Sequence, residues 1–311
     1  MSDRTRLIVG SIVSVVLLAL LAYFVDLRAV GRTLLDARPG PLVAALALHL
    51  FILLLRVHRW LVIAEEGRKP DRERLLLGLD AVFLGWFANF SLPAKAGDLA
   101  RPLVHARGSG RPFSAMLAGM VVERVLDLAF LGVAFWLAIA VLPTPRLPEW
   151  VQWASTAAGI GAAVGFLALG GVRRWGAALP GIAGRFREGL ALFDRPSVVA
   201  RAGAWTGVVW ALEAVAAYLL IVACGGAATA SAAVAVVVAI TLAVAAPSAP
   251  GQLGVSQWVV LLVLAPYGIE ADVAVAVSVL DTATVLFWVV PFGLVALARR
   301  TGRPGTASLP P

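Results

Sequence analysis

Charge is scarce in this chain. Only 14% of its 311 residues are charged, 60% are hydrophobic, and mean hydropathy is +0.90. A soluble globular domain carries about 25% charged residues. The shortfall excludes an ordinary cytosolic enzyme and a disordered regulator. Cysteine is nearly absent: Cys224 stands alone, which excludes a secreted disulfide scaffold. In its apolar run Cys224 reads as a small packing residue. Histidine is sparse and scattered, at His49, His58 and His105. No metal-ligand cluster, phosphate loop or nucleophile elbow emerges, so no metal, cofactor or catalytic residue is expected, and the chain is not expected to be an enzyme. What is abundant is uninterrupted apolar sequence, the mark of an integral membrane protein. The net charge of +8 would suggest nucleic acid in a soluble chain. Here it orients loops instead, and the expected partners are membrane lipids.

Leu7–Val25 is charge-free and long enough to span about 30 Å of hydrocarbon. It reads as a retained first helix, too long for a signal-peptide core. Pro39–Leu55 follows, ending in Arg56, His58 and Arg59. Leu75–Ala94 carries Asp80, and Val125–Leu142 has Glu123, Arg124 and Asp127 at its start. Then come Val151–Val172, Ala202–Ala230 with Glu213, and Val273–Ala298 with Asp281. With the N-terminus cytoplasmic, 21 of the 26 Lys and Arg residues fall on the cytoplasmic side, as the positive-inside rule requires. Both termini are then cytoplasmic. This topology requires Leu75–Ala94 to enter and return through a turn at Pro93–Gly97, because a full crossing would leave Lys95–Arg111 outside.

A second break interrupts the 56 residues from Ala214 to Ile269, which hold no charge. It reads Pro247-Ser248-Ala249-Pro250-Gly251-Gln252-Leu253-Gly254, against Pro93-Ala94-Lys95-Ala96-Gly97-Asp98-Leu99. Both contain P-x-x-x-G-x-L, 154 residues apart, and at the same offset Val125-Leu126-Asp127 matches Val279-Leu280-Asp281. Non-helical backbone at membrane depth is tolerated only inside protein or along a polar cavity. Two such hairpins in opposite orientations are the pattern of an inverted-repeat transporter with its site near the midplane. The competing reading is two ordinary helices kinked by Pro and Gly; two breaks in matching positions favour function. The expected architecture is an all-α integral membrane protein forming one polytopic domain over residues 1–311. It has about six full transmembrane helices and two oppositely oriented re-entrant hairpins. The hairpins with their following helices occupy 75–127 and 231–281, and a disordered tail occupies 301–311. Residues 182–194 carry Ile182, Phe186, Leu190 and Phe193 on one face beside Arg185 and Arg187. They read as an interfacial amphipathic helix.

Intramembrane charge is expensive, about 2.5–3.5 kcal/mol per residue at a helix centre, so each instance needs a reason. Glu123 and Asp127 are four apart and share a face. Arg124 can reach Asp127, while Lys95 and Arg101 are candidate partners of Glu123 and Asp98. An ion-pair clamp and a ligand site are equal readings, and one does not exclude the other. Trp60 reads as a headgroup-level anchor. Arg59 stays open, since arginine is also the preferred bidentate binder of phosphate. Asn89 reads as a cap on freed backbone groups. Glu213 and Asp80, isolated in apolar sequence, read as protonated, hydrogen-bonded carboxyls.

Four motifs occur in order: Arg56-x-x-Arg59-Trp60; Asn89-x-x-x-Pro93-x-x-x-Gly97-Asp98-x-x-Arg101; Glu123-Arg124-x-x-Asp127; and Pro247-x-x-Pro250-Gly251-x-Leu253-Gly254-Val255. Together they resemble the lysylphosphatidylglycerol synthase transmembrane family, over nearly the whole chain. The resemblance implies a polytopic bacterial inner-membrane protein that moves a phospholipid, or another lipid with a charged head group, between leaflets. No aminoacyl transferase is read within these 311 residues, so lysyl transfer is not implied. The resemblance points to Arg59, Asn89, Lys95, Asp98, Arg101, Glu123, Arg124, Asp127, Gln257 and Asp281 as head-group residues. Pro93, Gly97, Pro247, Pro250, Gly251 and Gly254 form the turns. Where many relatives have Glu after the second Pro-Gly motif, this chain has Gln257, and Val273–Ala298 lacks the arginine many relatives carry there. That departure puts ion or proton coupling by that pair in doubt. The alternatives are a membrane-embedded enzyme or accessory subunit acting on a polyprenyl-phosphate or glycolipid, and a structural partner of a separate lipid-modifying enzyme. The sequence does not specify the oligomeric state.

Overall fold

A computed structural model of the protein describes residues 16–91, 96–175, 181–243 and 254–301. Among these residues the fold is all-helical, without strands. The helices are α1 (residues 16–24), α2 (Leu27–Leu35), α3 (Pro39–Ala64), α4 (Arg72–Ser91), α5 (Ala96–Ser109), α6 (Phe113–Val141), α7 (Glu149–Trp175), α8 (Gly181–Gly189), α9 (Pro196–Ala223), α10 (Ala230–Ala243), α11 (Val255–Leu264) and α12 (Ala271–Thr301). Five of them, α3, α6, α7, α9 and α12, are long and apolar enough to cross a membrane. The expected first span, Leu7–Val25, lies partly outside the described residues. Prolines at the first turns of α3 and α9 occupy positions that need no backbone donor. Pro291 lies inside α12, where it removes one backbone hydrogen bond.

Contacts between chain ends sort the helices by direction. One end is basic. There Arg74 meets Glu65 at 3.6 Å and Arg111 meets Glu66 at 2.6 Å. Arg201 donates to the Gly67 carbonyl and Arg300 to Asp80. The end of α3, the start of α4, the end of α5, the start of α9 and the end of α12 therefore lie together. Gly67, at φ +78°, makes the turn after α3 possible. At the opposite end the Arg38 amide donates to the Ala223 carbonyl, Ser231 to that of Pro143, and Thr33 to Asp272. These contacts gather the starts of α3, α10 and α12 with the ends of α6 and α9.

The pair α4–α5 is thus a helical hairpin opening at the basic end, and α10–α11 opens at the opposite end. The limbs of the first hairpin nearly touch. A Cβ on Gly97 would fall 1.9 Å from the Gly85 carbonyl oxygen, and one on Gly85 would fall 2.9 Å from Arg101 Cβ. Farther down, a Cβ on Gly108 would meet Leu77 at 2.4 Å. One apolar core fills the space among α9, α10, α11 and α12 with parts of α1, α2, α6 and α7. A second, around Trp60, Phe83, Met116 and Val289, joins the hairpin α4–α5 to α3, α6 and α12.

The structure corrects several boundaries. The helix expected from Val125 begins at Phe113, because the apolar sequence before Glu123 continues the same helix. The helix expected over Ala202–Ala230 ends at Ala223, and Ala230 starts a new one. The segment 182–194 is helical only through Gly189 and continues as a 3₁₀ turn over Leu190–Asp194. Leu190 and Leu192 are fully buried against α3, α6 and α9, while Ile182, Arg185, Glu188 and Asp194 are exposed. Thr301 belongs to α12, while the rest of the expected tail, Pro93, and the turn at Pro247, Pro250 and Gly251 lie outside the described residues.

The close approach at Gly97 yields a test. Gly97→Ala must push a helix backbone aside and should sharply reduce the yield of monodisperse protein. Gly161→Ala, where the new methyl meets nothing within 4 Å, should purify like wild type and melt within a few degrees of it.

Candidate functional site: a charge-balanced cluster among four helices

Glu123 and Asp127 are the eleventh and fifteenth residues of α6, about 15–20 Å along it at 1.5 Å per residue. They sit mid-helix rather than at its mouth. Both are 3% exposed. Arg59 of α3, fully buried, answers both. It donates to Asp127 Oδ1 at 2.5 Å and Oδ2 at 3.3 Å, to Glu123 Oε1 at 2.6 Å, and to Thr206 Oγ1 of α9 at 3.1 Å. Trp210 of α9 donates its indole N–H to Asp127 Oδ1 at 2.9 Å. Arg101 of α5 donates to Glu123 Oε1 at 3.0 Å and lies 4.7 Å over the Trp60 ring. Two guanidinium groups, from α3 and α5, thus balance two carboxylates of α6, helices brought together only by folding.

Beside this core, Arg124 donates to Asp98 Oδ1 at 2.7 Å and Asn89 Nδ2 to the same oxygen at 3.0 Å. Here the pair is accessible: the Arg124 side chain is 46% exposed and Asp98 27%. Arg124 therefore pairs with Asp98, not with Asp127 as its spacing suggests. Asn89 ties the hairpin limbs together through Asp98; that hydrogen bond is side chain to side chain, not the expected backbone cap. Lys95 lies outside the described residues.

The expected anchor role of Trp60 is also overturned. Helix α3 runs on to Ala64, and Trp60 is fully buried. Its N–H donates to His105 Nδ1 at 3.1 Å, and His105 Nε2 meets Glu65 Oε1 at 3.2 Å. That hydrogen bond to His105 holds the Glu65 carboxyl below the usual carboxylate range, with help from Arg74.

A second set of charges was invisible as a set in the sequence. Arg56 donates to Glu213 Oε1 at 2.7 Å, with its guanidinium 5.4 Å from the Trp86 ring and 5.0 Å from the Trp210 ring. His49 Nε2 lies 3.7 Å from both Glu213 Oε2 and Asp281 Oδ1. Asp80 meets Arg299 at 2.8 Å and Arg300 at 3.0 Å. So Glu213 and Asp80, expected as isolated protonated carboxyls, are ion-paired. Of the predicted head-group residues, the structure brings together Arg59, Asn89, Asp98, Arg101, Glu123, Arg124 and Asp127. It does not bring in Gln257, which closes the N-terminus of α11 by accepting the Gly254 N–H at 2.7 Å. Asp281 belongs to the His49 group. Gly254, at φ +87°, takes a backbone conformation suited to glycine. Missed by the sequence reading were Thr206, Trp210, His105, Arg56 and His49. For His49, Arg56 and Thr206 the available signal was a polar residue's placement in an otherwise apolar helix.

These helices and buried charges define a multi-pass membrane protein. The family model described as "Lysylphosphatidylglycerol synthase TM region" matches residues 7–293, and the chain belongs to that family. It is also similar to "Glycosyltransferase AglD" of Haloferax volcanii, 31% identical over 125 residues. That alignment covers 40% of this chain and 20% of the relative, so the chain matches only a fifth of that protein's length.

The buried balance predicts a rescue. Arg59→Gln leaves two carboxylates facing one remaining guanidinium, and losing one partner of a buried pair costs about 3–5 kcal/mol. The single variant should melt well below wild type in detergent. Adding Asp127→Asn removes the excess charge and should recover a large part of the loss. Equal melting of single and double variants would refute charge balance as the organising term.

Proposed function

We propose that this protein moves a phospholipid, or another lipid with a charged head group, between the leaflets of a bacterial inner membrane, and that it does so as a transporter rather than an enzyme. The observation that carries this reading is the division of the cluster into a sealed part and an open part. Arg59, Arg101, Glu123 and Asp127 are closed to solvent and matched in charge. They hold α3, α5, α6 and α9 in register. Arg124–Asp98 is half-open at the same level of α6. A phosphate can exchange with Asp98 for the exposed guanidinium without unbalancing the sealed core, and arginine is the side chain suited to that exchange. Arg101 thereby joins the clamp, and Arg124 becomes the first head-group contact. Ionisable groups inside a membrane domain mark substrate pathways by default.

The two hairpins opening at opposite ends, each followed by a long helix, support re-entrant limbs and an inverted repeat. The grouping of residues 65–74, 107–111, 195–201 and 299–300 at one end supports a cytoplasmic C-terminus there. With a first crossing before α2, the N-terminus is cytoplasmic as well. The likeness to part of a protein named a glycosyltransferase favours a second reading. In it, this membrane domain presents a lipid to a separate lipid-modifying enzyme, with the same site receiving the head group.

Topology is read by single cysteines at exposed positions, since Cys224 is buried. Arg68→Cys and Arg107→Cys should label only from the cytoplasm, and Arg146→Cys only from the other side. Labelling of Arg107→Cys with Arg146→Cys would end the re-entrant reading of the first hairpin.

For the site, the protein is reconstituted in liposomes with fluorescent lipids of several head groups, and leaflet exchange is followed by quenching. Wild type should exchange at least one charged lipid faster than protein-free vesicles. Arg124→Gln should still purify as monodisperse protein, yet exchange lipid about tenfold more slowly or worse. Undiminished exchange in Arg124→Gln would remove this residue from the head-group path.

A further inference from the structure

The two buried networks differ in charge arithmetic. Around Arg59 the described charges cancel: Arg59 and Arg101 against Glu123 and Asp127. Around His49 they do not. Glu213 from α9 and Asp281 from α12 both face its Nε2 at 3.7 Å, and Arg56, two turns along α3 from His49, supplies the single fixed positive charge through Glu213. Of the other helices against α3 here, α4 presents the uncharged Trp86 to Arg56, and α6 connects only through Trp210 to Asp127. Asp80 of α4 is satisfied elsewhere, by Arg299 and Arg300 of α12. His49 is 1% exposed, and neither ring nitrogen has a hydrogen-bond partner among the described residues. Among the described residues the set is therefore short of one positive charge, and it contains a buried imidazole facing both carboxylates.

We propose that His49, Glu213 and Asp281 bind one proton, held at His49 Nε2 between the two carboxylates, and that uptake of this proton is coupled to lipid movement. The coupling rests on the lipid-transport reading above; the proton site itself does not. An unpaired charge in low dielectric costs several kcal/mol, so a proton-free set is the costly state. The Asp281 and Glu213 side chains retain 26% and 18% of their surface accessible while His49 is closed. The proton therefore enters from the carboxylate side. Arg56 makes the connection to the lipid. An anionic head group that draws the Arg56 guanidinium from Glu213 deepens the deficit at His49 and strengthens proton binding. By linkage, proton binding then strengthens anion binding by the same factor. Proton and anionic lipid travel together.

Two measurements separate the claims. In the first, purified protein with ¹⁵N-labelled histidine is examined by NMR near neutral pH. The chain has three histidines, and the His49 signal is the one lost in His49→Gln. An imidazolium signature at His49, reverting to a neutral ring in Asp281→Asn or Glu213→Gln, supports the proton site. A neutral ring in wild type under these conditions overturns it. In the second, liposomes carrying fluorescent phosphatidylglycerol are given a pH gradient of one unit. Wild type should move the anionic lipid faster toward the alkaline side than against the gradient, by up to about tenfold for one proton per lipid. His49→Gln should lose this response to the gradient. Gradient-independent exchange by wild type overturns the coupling. Failure of wild type to exchange any lipid, with the imidazolium signature intact, counts against the transport reading and its coupling while leaving the proton site standing.

Discussion

Everything in the membrane domain is referred to one guanidinium. Arg59 is the point where α3, α6 and α9 meet, and it makes that junction with no solvent contact. Helices in lipid gain little from burying apolar side chains, since the acyl chains offer the same environment. Register must come from directional contacts. A planar fork with two carboxylates four residues apart on one helix face supplies that direction. Arg101 then adds α5, so the first hairpin is registered to α6 by the same carboxylate that Arg59 uses.

The aromatic residues extend this junction at both sides. Trp60 follows Arg59 in the chain and supports Arg101 from below, while its N–H fixes His105 against Glu65. Trp210 carries Arg56 on its face and Asp127 on its N–H. One indole thus touches both networks, the balanced one at Arg59 and the proton-short one at His49. Each ring does two tasks, filling apolar space and directing one polar bond, as suits a site where water is absent.

Much of the candidate site was legible because local spacing reveals it. The i, i+4 carboxylates, the basic residues beside them, and the P-x-x-x-G-x-L breaks can be read from short strings. The Arg101–Glu123 pairing was among the candidates weighed. What could not be read was partner choice across long separations. Arg59 and Asp127 are 68 residues apart, Arg56 and Glu213 157, Asp80 and Arg300 220. Glu213 and Asp80 looked solitary because their cations lie on other helices. Helix starts were misplaced for a related reason. Charge was taken as a boundary, yet α6 runs straight through Glu123 and Asp127 because folding neutralises them. Trp60 was misread because an interfacial tryptophan and a buried one look alike until the end of α3 is known.

At Gly85 and Gly97 the two limbs of the first hairpin meet backbone to backbone. Only the Arg101 Cβ and the Asn89 amide reach this contact, so the limbs have little side-chain layer on which to slide past one another. Asn89 and Asp98 pin the same region crosswise. The hairpin is accordingly a stiff lever rather than a pair of tweezers. Any motion of the paired limbs is a displacement of both together, carried toward the basic rim where Arg111 grips Glu66.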